Sequence, residues 1–258
     1  MLYNQYCLST GGSLGVLSLG RVELSIIIPV YNEADNVVSL YQDIVASLPA
    51  TQYQFEVIFV DDGSTDETTQ RLKQVAREHT GVRVISHKYN CGQSAALVSG
   101  CKVAHYPMVV TLDGDGQNDP ADIPRLFAAL EDSQCVVLGN RKRRVDNHLR
   151  QLSSIVGNGV RRWLLDDECP DTGCSLKLFP RDAFLALPHF NHVHRFLPAL
   201  FKRAGYKLVN VPVNHRPRLH GVSKYGVMNR LSVGIYDLIG VRWLIKRPCA
   251  PEIYNHEH

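Results

Sequence analysis

Asp113 and Asp115 stand two residues apart at the end of an apolar run of strand length, Met108-Val109-Val110-Thr111-Leu112. In extended chain, residues i and i+2 point to the same side, so both carboxylates can converge on one ligand at the strand's carboxyl end. Gly114 and Gly116 let the backbone turn and leave room beside it, and Gln117 adds a neutral oxygen to the same rim. Asp113, Asp115 and Gln117 together make a small set of hard oxygen ligands. Such a set suits Mg²⁺ or Mn²⁺, which keeps its other positions for water and substrate phosphates. An isolated Asp-x-Asp is more often a simple acidic turn. Other stretches of the chain weigh against that reading.

The elements that would position these groups alternate. Leu24 to Val30 is a nearly continuous apolar run, as in a strand buried on both faces. A helix follows from about Glu33 to Leu48, then a strand over Phe55–Val60, and a helix capped by Asp66 that runs to about His79. Val82–Ser86 reads as strand, Gly92–Ala104 as a small-residue helix, and Met108–Leu112 as strand. Pro120 and Asp122 open a helix to about Glu131, and Cys135–Gly139 is a fifth strand. This alternation predicts an α/β fold: a mostly parallel sheet flanked by helices, with ligands at the carboxyl ends of the strands. Four polar clusters fall at those ends: Tyr31-Asn32-Glu33, Asp61-Asp62-Gly63-Ser64, His87 to Asn90, and Asp113 to Gln117. The second half is less regular: a helix over 149–165, a strand over Ser175–Phe179, a helix over Val193–Ala204, a strand over Tyr206–Val213 and a last helix over Val227–Ile245. Residues 1–22, rich in Gly, Ser and Leu without period, read as a poorly ordered extension. Residues 23–247 read as one domain and 248–258 as a tail.

Composition removes several classes. A net charge of +3 is too small to argue for nucleic acid. The seven cysteines are odd in number and form no Cys-x-x-Cys, which fits reduced thiols in the cytosol. Cys91, Cys101 and Cys135 are expected to pack as small hydrophobes. His189, His192 and His194 lack the partner spacing of structural zinc. No run reaches the roughly 18 apolar residues of a membrane span, and the N-terminus lacks a signal-peptide pattern. No Gly-x-Gly-x-x-Gly or P-loop appears, and no Gly-x-Ser-x-Gly elbow follows any of these strands.

Three stretches in order, Pro29-Val30-Tyr31-Asn32-Glu33, Val60-Asp61-Asp62-Gly63-Ser64-Thr65-Asp66 and Leu112-Asp113-Gly114-Asp115, resemble a family-2 glycosyltransferase of GT-A fold. Further motifs narrow the resemblance to polyprenyl-phosphate glycosyltransferases of the dolichol-phosphate mannosyltransferase type. These are Gly139-Asn140-Arg141, Arg150 with Ser154, Asp171-Thr172-Gly173-Cys174-Ser175-Leu176-Lys177, and Arg218 with Ser223-Lys224-Tyr225. The resemblance implies that Pro29, Tyr31, Glu33, Phe59, Asp61, Asp62 and Gly114 bind the nucleotide-sugar donor. It implies that Asp113, Asp115 and Gln117 hold Mg²⁺ or Mn²⁺ against the donor diphosphate. Arg141, Arg150, Ser154, Arg218, Ser223 and Lys224 would gather around the acceptor phosphate, where a planar guanidinium pairs well and Lys supplies a point charge.

The same resemblance implies single displacement with inversion, Asp113, Asp115, Arg141, Arg150 and Asp171 forming the catalytic set. A phosphate acceptor needs alignment more than a base, whereas a sugar hydroxyl needs a carboxylate, for which Asp171 is the candidate. The alternatives are a transferase acting on a saccharide hydroxyl, a sugar nucleotidyltransferase, which should carry a Gly-rich loop after the first strand, or a silent lipid- or protein-binding subunit. The last helix, with Trp243 beside Arg242, Lys246 and Arg247, can lie in a membrane interface or pack on the sheet. The expected partners are a nucleotide sugar, a polyprenyl phosphate and a membrane surface, with the protein peripheral at the cytoplasmic face of the membrane.

Overall fold

The computed structural model describes residues 21–141, 159, 161–218 and 228–247, the stretch 228–233 by its backbone alone. In chain order the elements are β1 (Val22–Val30), α1 (Val37–Ser47), β2 (Tyr53–Asp61), α2 (Thr68–Glu78), β3 (Val82–Ser86), α3 (Gln93–Val103) and β4 (Met108–Thr111). A 3₁₀ turn (Pro120–Asp122) leads into α4 (Ile123–Ala128), then β5 (Cys135–Arg141), a helical stretch at 161–165 (α5) and β6 (Lys177–Pro180). The chain closes with α6 (Arg181–Leu185), a 3₁₀ turn (Val193–Arg195), α7 (Leu197–Arg203), β7 (Lys207–Val213) and α8 (Met228–Lys246).

The strands form one seven-stranded sheet in the order β3-β2-β1-β4-β6-β5-β7. All neighbours are parallel except β6, which runs against both β4 and β5. Their side chains alternate between two cores. Leu24, Ile26, Ile28, Val57, Phe59, Val110 and Leu112 face α1, α2 and α4. Ile27, Ile58, Val60 and Val109 face α3, α6 and α7. Burial on both faces is why these strands read as unbroken apolar runs.

The topology fixes where a ligand can sit. From β1 the chain steps outward through β2 to β3, then returns to place β4 on the other side of β1. The carboxyl ends of β1 and β4 therefore diverge into a crevice at a topological switch point. Val30 pairs with Asp61 and Asp61 with Ser86, so the β1, β2 and β3 ends lie level on one rim. Ile27 pairs with Thr111, which brings the Asp113 turn beside Pro29 and Val30.

Several boundaries differ from expectation for identifiable reasons. Helix α1 starts at Val37 rather than Glu33, because the intervening residues form a turn in which Asn36 donates to Glu33 Oε2 at 2.6 Å. The helix expected over Val193–Ala204 is broken: a 3₁₀ turn precedes α7, which restarts at Leu197. Pro198 has no N–H to give and would clash with the preceding turn, so it is tolerated only near a helix start. Strand β6 begins at Lys177 rather than Ser175, whose carbonyl instead accepts from the Thr111 hydroxyl. Most of the helix expected over 149–165, the extension before Arg21 and the tail after Arg247 lie outside the described residues.

Candidate active site

The centre of the rim is the turn after β4. Asp113 is fixed by three neighbours: its N–H donates to Asn118 Oδ1 at 3.0 Å, its Oδ1 accepts from Gln93 Nε2 at 2.9 Å, and Ser175 donates to its carboxylate. Burial, then the charge of Asp115, raises its pKa above the ordinary carboxylate value, while Ser175, Lys177 and Arg141 pull it back. Asp115 accepts from the Gln117 N–H at 3.1 Å through Oδ1 and pairs with Arg218 through Oδ2. Gln117 directs its amide nitrogen toward His215 Nε2 at 3.4 Å, leaving its carbonyl oxygen as the ligand atom. Two crowded carboxylates and an amide oxygen are hard donors and fit Mg²⁺ or Mn²⁺.

The two glycines of this turn do different work. A Cβ on Gly114 would stand 2.5 Å from Val30 Cγ1 and 3.1 Å from the Pro29 carbonyl, so the space beside it belongs to β1. Gly116, at φ +72°, faces open space, and the room for a ligand is on its side.

The chain after β7 crosses over this turn. His215 bridges Asn118, the Arg216 N–H donates to Gln117 O at 2.9 Å, and the Arg216 side chain joins Asp43 to Asp119. That crossing delivers Arg218 to Asp115. Burial works against the charge of Arg218, but its bond to Asp115 and the charges of Asp115, Glu33 and Asp113 outweigh it and raise its pKa. Glu33, Asp113, Asp115 and Arg218 thus share one electrostatic neighbourhood although they come from three distant parts of the sequence.

A second group stands behind Asp113. Arg141, at the end of β5, binds Asp171 through both ends of its fork, Nε to Oδ2 at 2.6 Å and Nη2 to Oδ1 at 2.7 Å. Lys177 is 4% exposed and donates to the carbonyls of Thr172 and Cys174. The loop between them is tied down by buried Arg161, which reaches Asp167, the Cys169 carbonyl and the Thr172 hydroxyl.

The donor side departs from expectation in part. Pro29, Tyr31 and Glu33 are half-buried on the rim beside the switch point. Phe59, expected against the nucleotide, is fully buried in the core: it alternates with Val60 inside β2 and has no surface to offer. Asp61 is 1% exposed, its oxygens taken by the Ser64 N–H at 3.0 Å and the Thr69 hydroxyl. Asp62 is equally withdrawn, holding His87 Nδ1 and the Cys91 and Gly92 N–H groups. Both aspartates shape loops in this structure. Arg150, Ser154, Ser223 and Lys224 lie outside the described residues. Sequence reasoning missed Gln93 and Asn118, and gave Lys177 no role beyond its place in the Asp171–Lys177 motif. A lysine inside an otherwise buried strand was the available signal, because an unpaired buried ammonium is too costly to be incidental.

Cys101, Cys135, Cys169 and Cys174 are free and buried, but Cys91 is exposed, contrary to expectation, because it sits on the loop before α3 and not in an apolar segment.

Residues 25–187, spanning the first three motifs and the Asp171–Lys177 loop, match the model of glycosyl transferase family 2. The chain belongs to that family. It is 34% identical over 235 residues to the dodecaprenyl-phosphate galacturonate synthase of Rhizobium johnstonii, covering 89% of this chain and 69% of that protein. It is 34% identical over 218 residues to the undecaprenyl-phosphate 4-deoxy-4-formamido-L-arabinose transferase of Edwardsiella ictaluri, covering 84% of this chain and 66% of that one. The chain thus spans about two thirds of the length of these relatives. Among solved structures it resembles the glucosyl-3-phosphoglycerate synthase of Mycobacterium tuberculosis in complex with Mn²⁺, UDP and glucosyl-3-phosphoglycerate. The TM-score is 0.65 at 20% identity, over 88% of this chain and 80% of that one. The same synthase with Mg²⁺ and UDP matches equally, at TM-score 0.65 and 19% identity over 88% of this chain and 79% of that one. The fold is that of the GT-A glycosyltransferases. Among the described residues, no helix of this family-2 glycosyltransferase is long and apolar enough to cross a membrane.

Proposed function

We propose that this glycosyltransferase moves a sugar from a nucleotide sugar to the phosphate of a polyprenyl phosphate, working peripherally at the cytoplasmic face of a membrane. The observation that carries the choice of acceptor is the Arg141–Asp171 fork. A sugar hydroxyl needs a carboxylate to take its proton, and both oxygens of Asp171 are already bound by a guanidinium. A phosphate monoester, with a second pKa of about 6, is largely ionised at neutral pH and needs no base. The polyprenyl-phosphate relatives agree with this choice.

The chain's own residues then have simple tasks. Pro29, Tyr31, Glu33 and Gly114 border the donor at the switch point. Arg141 and Arg218, with Arg150, Ser154, Ser223 and Lys224 by family resemblance, gather and align the acceptor phosphate. An acceptor oxygen attacks the anomeric carbon as the bond to the diphosphate breaks from the opposite face, inverting the centre, and the electron pair leaves with the nucleoside diphosphate. A divalent ion on Asp113, Asp115 and Gln117 would supply charge to stabilise that leaving group. Gln93, Asn118 and Ser175 hold Asp113 in place.

Radiolabelled transfer tests the reading, with UDP-galacturonate, UDP-glucose, UDP-GlcNAc and GDP-mannose against undecaprenyl and dolichyl phosphate. We expect label in the lipid phosphate with one donor class and none in the dephosphorylated polyprenol. Labelling of soluble saccharides alone would overturn the phosphate acceptor. Arg150→Ala should raise the apparent KM for the lipid phosphate about ten- to a hundredfold and that for the nucleotide sugar far less.

A further inference from the structure

Beside the candidate active site, and unused by the chemistry above, lies a group of different composition. One ligand atom each from Asp62, His87 and Cys91 falls within 4.8 Å of the other two. Asp62 is held from behind by the backbone N–H groups of Cys91 at 2.8 Å and Gly92 at 2.7 Å. His87 sets Nδ1 against Asp62 Oδ1 at 2.8 Å and Nε2 against Ser99 Oγ of α3 at 2.9 Å. The Cys91 thiol is exposed, with Sγ 3.3 Å from the Tyr89 carbonyl.

We propose that Asp62, His87 and Cys91 form a second metal site, for Zn²⁺ or a similar borderline-soft divalent ion, separate from the Asp113–Asp115 turn. A thiolate, an imidazole and one carboxylate are the ligand set of a four-coordinate zinc centre with one position left for water. Sulfur and nitrogen ligands favour such ions over Mg²⁺ and Mn²⁺, for which the oxygen set of Asp113, Asp115 and Gln117 is suited.

The supporting shell is already present. With Nδ1 on the ion, the imidazole proton moves to Nε2, where Ser99 Oγ accepts it, so the second shell fixes the tautomer that binding requires. Cys91 turns inward and gives up its thiol proton, and one proton is released per ion bound. The site also touches the chemistry indirectly. Cys91 and Gly92 lead straight into Gln93, whose side chain holds Asp113.

The test uses the full chain, stripped of metal and titrated with Co²⁺, which reports a thiolate ligand through a sulfur-to-metal charge-transfer band, with Zn²⁺ as competitor. The expected result is one band-forming site in the wild type. It should be lost in Cys91→Ser, weakened at least about tenfold in His87→Gln, unchanged in Asp115→Asn and resistant to excess Mg²⁺. Because Cys91 is exposed, Cys91→Ser leaves the fold intact. A wild type without the band, a Cys91→Ser variant that keeps it, or loss of the band in Asp115→Asn would each overturn the proposal. This inference stands apart from the choice of acceptor, and the binding measurement needs no transfer activity.

Discussion

Asp115 divides its carboxylate between the backbone of its own turn and Arg218, a residue more than a hundred positions later. Its charge therefore serves both the cation site and the closing segment. Asp115→Asn should reduce transfer by orders of magnitude while circular dichroism stays near wild type, since the substitution keeps the shape of the side chain and removes its charge. Near-normal turnover by the folded variant would remove Asp115 from the cation site. The aspartates were legible from spacing alone, but their supports were not. Gln93 and Asn118 are ordinary polar residues in sequence and gain meaning only when α3 and the turn after β4 meet. Another residue of this kind is His194, half-buried against Ser94 with Nδ1 at 2.8 Å from Oγ. Burial, aided by the charges of Arg195, Lys177 and His192, lowers its pKa from 6.5 to about 3. The native state thus refuses a proton that the unfolded chain accepts. Its contribution to stability is complete above pH 6.5 and is lost as pH falls toward 3, at no more than about 1.4 kcal/mol per pH unit. Urea midpoints at pH 7 and pH 5 should fall further for the wild type than for His194→Gln.

The strands of the first half were readable because each is a continuous apolar run ending in a polar cluster, and parallel order followed from their alternation with helices. Strand β6 was not readable in orientation. Its run looks like the others, and an apolar run carries no sign of its direction. Nor did the pattern assign Phe59 to the core rather than the donor site, since β2 is apolar on both faces and alternation alone gives no sign of which side holds the ligand. The contact between β1 and the β4 turn is the element-level feature that most constrains the site. A Cβ at Gly114 would press on Val30 and on the Pro29 carbonyl. Gly114→Ala should therefore cost about 1–3 kcal/mol by denaturant melting and push the Asp113 turn away from β1. A Gly116→Ala variant meets no atoms within 4 Å and pays only for its φ of +72°. Equal losses of stability in the two variants would argue against the steric account of Gly114.

Helix α8 presents two unlike sides. One side packs inward: Val241 is 1% exposed, Leu238 and Ile245 lie against the core around α7, and Asp237 pairs with His192 at 2.9 Å. The other side leaves Ile235, Tyr236, Ile239 and Trp243 exposed, followed by exposed Lys246 and Arg247. Arg242 joins this helix to α5 through the Leu164 carbonyl at 2.7 Å, and α5 adds exposed Trp163 and Arg162. Aromatic and aliphatic side chains bordered by cations suit the headgroup level of an anionic bilayer, where each Lys or Arg contributes about 1 kcal/mol. Polar and apolar residues are mixed around this helix, so only packing shows which apolar residues remain outside. We predict that the protein cosediments with vesicles containing anionic lipid. Trp243→Ala combined with Lys246→Ala should weaken that binding roughly tenfold or more, since an aromatic contact and a charge are lost together. Transfer to a short, water-soluble prenyl phosphate should change little in the same variant, because both side chains are exposed on α8. Wild-type binding to neutral and anionic vesicles alike, unaffected by the double substitution, would place the membrane contact elsewhere on the molecule.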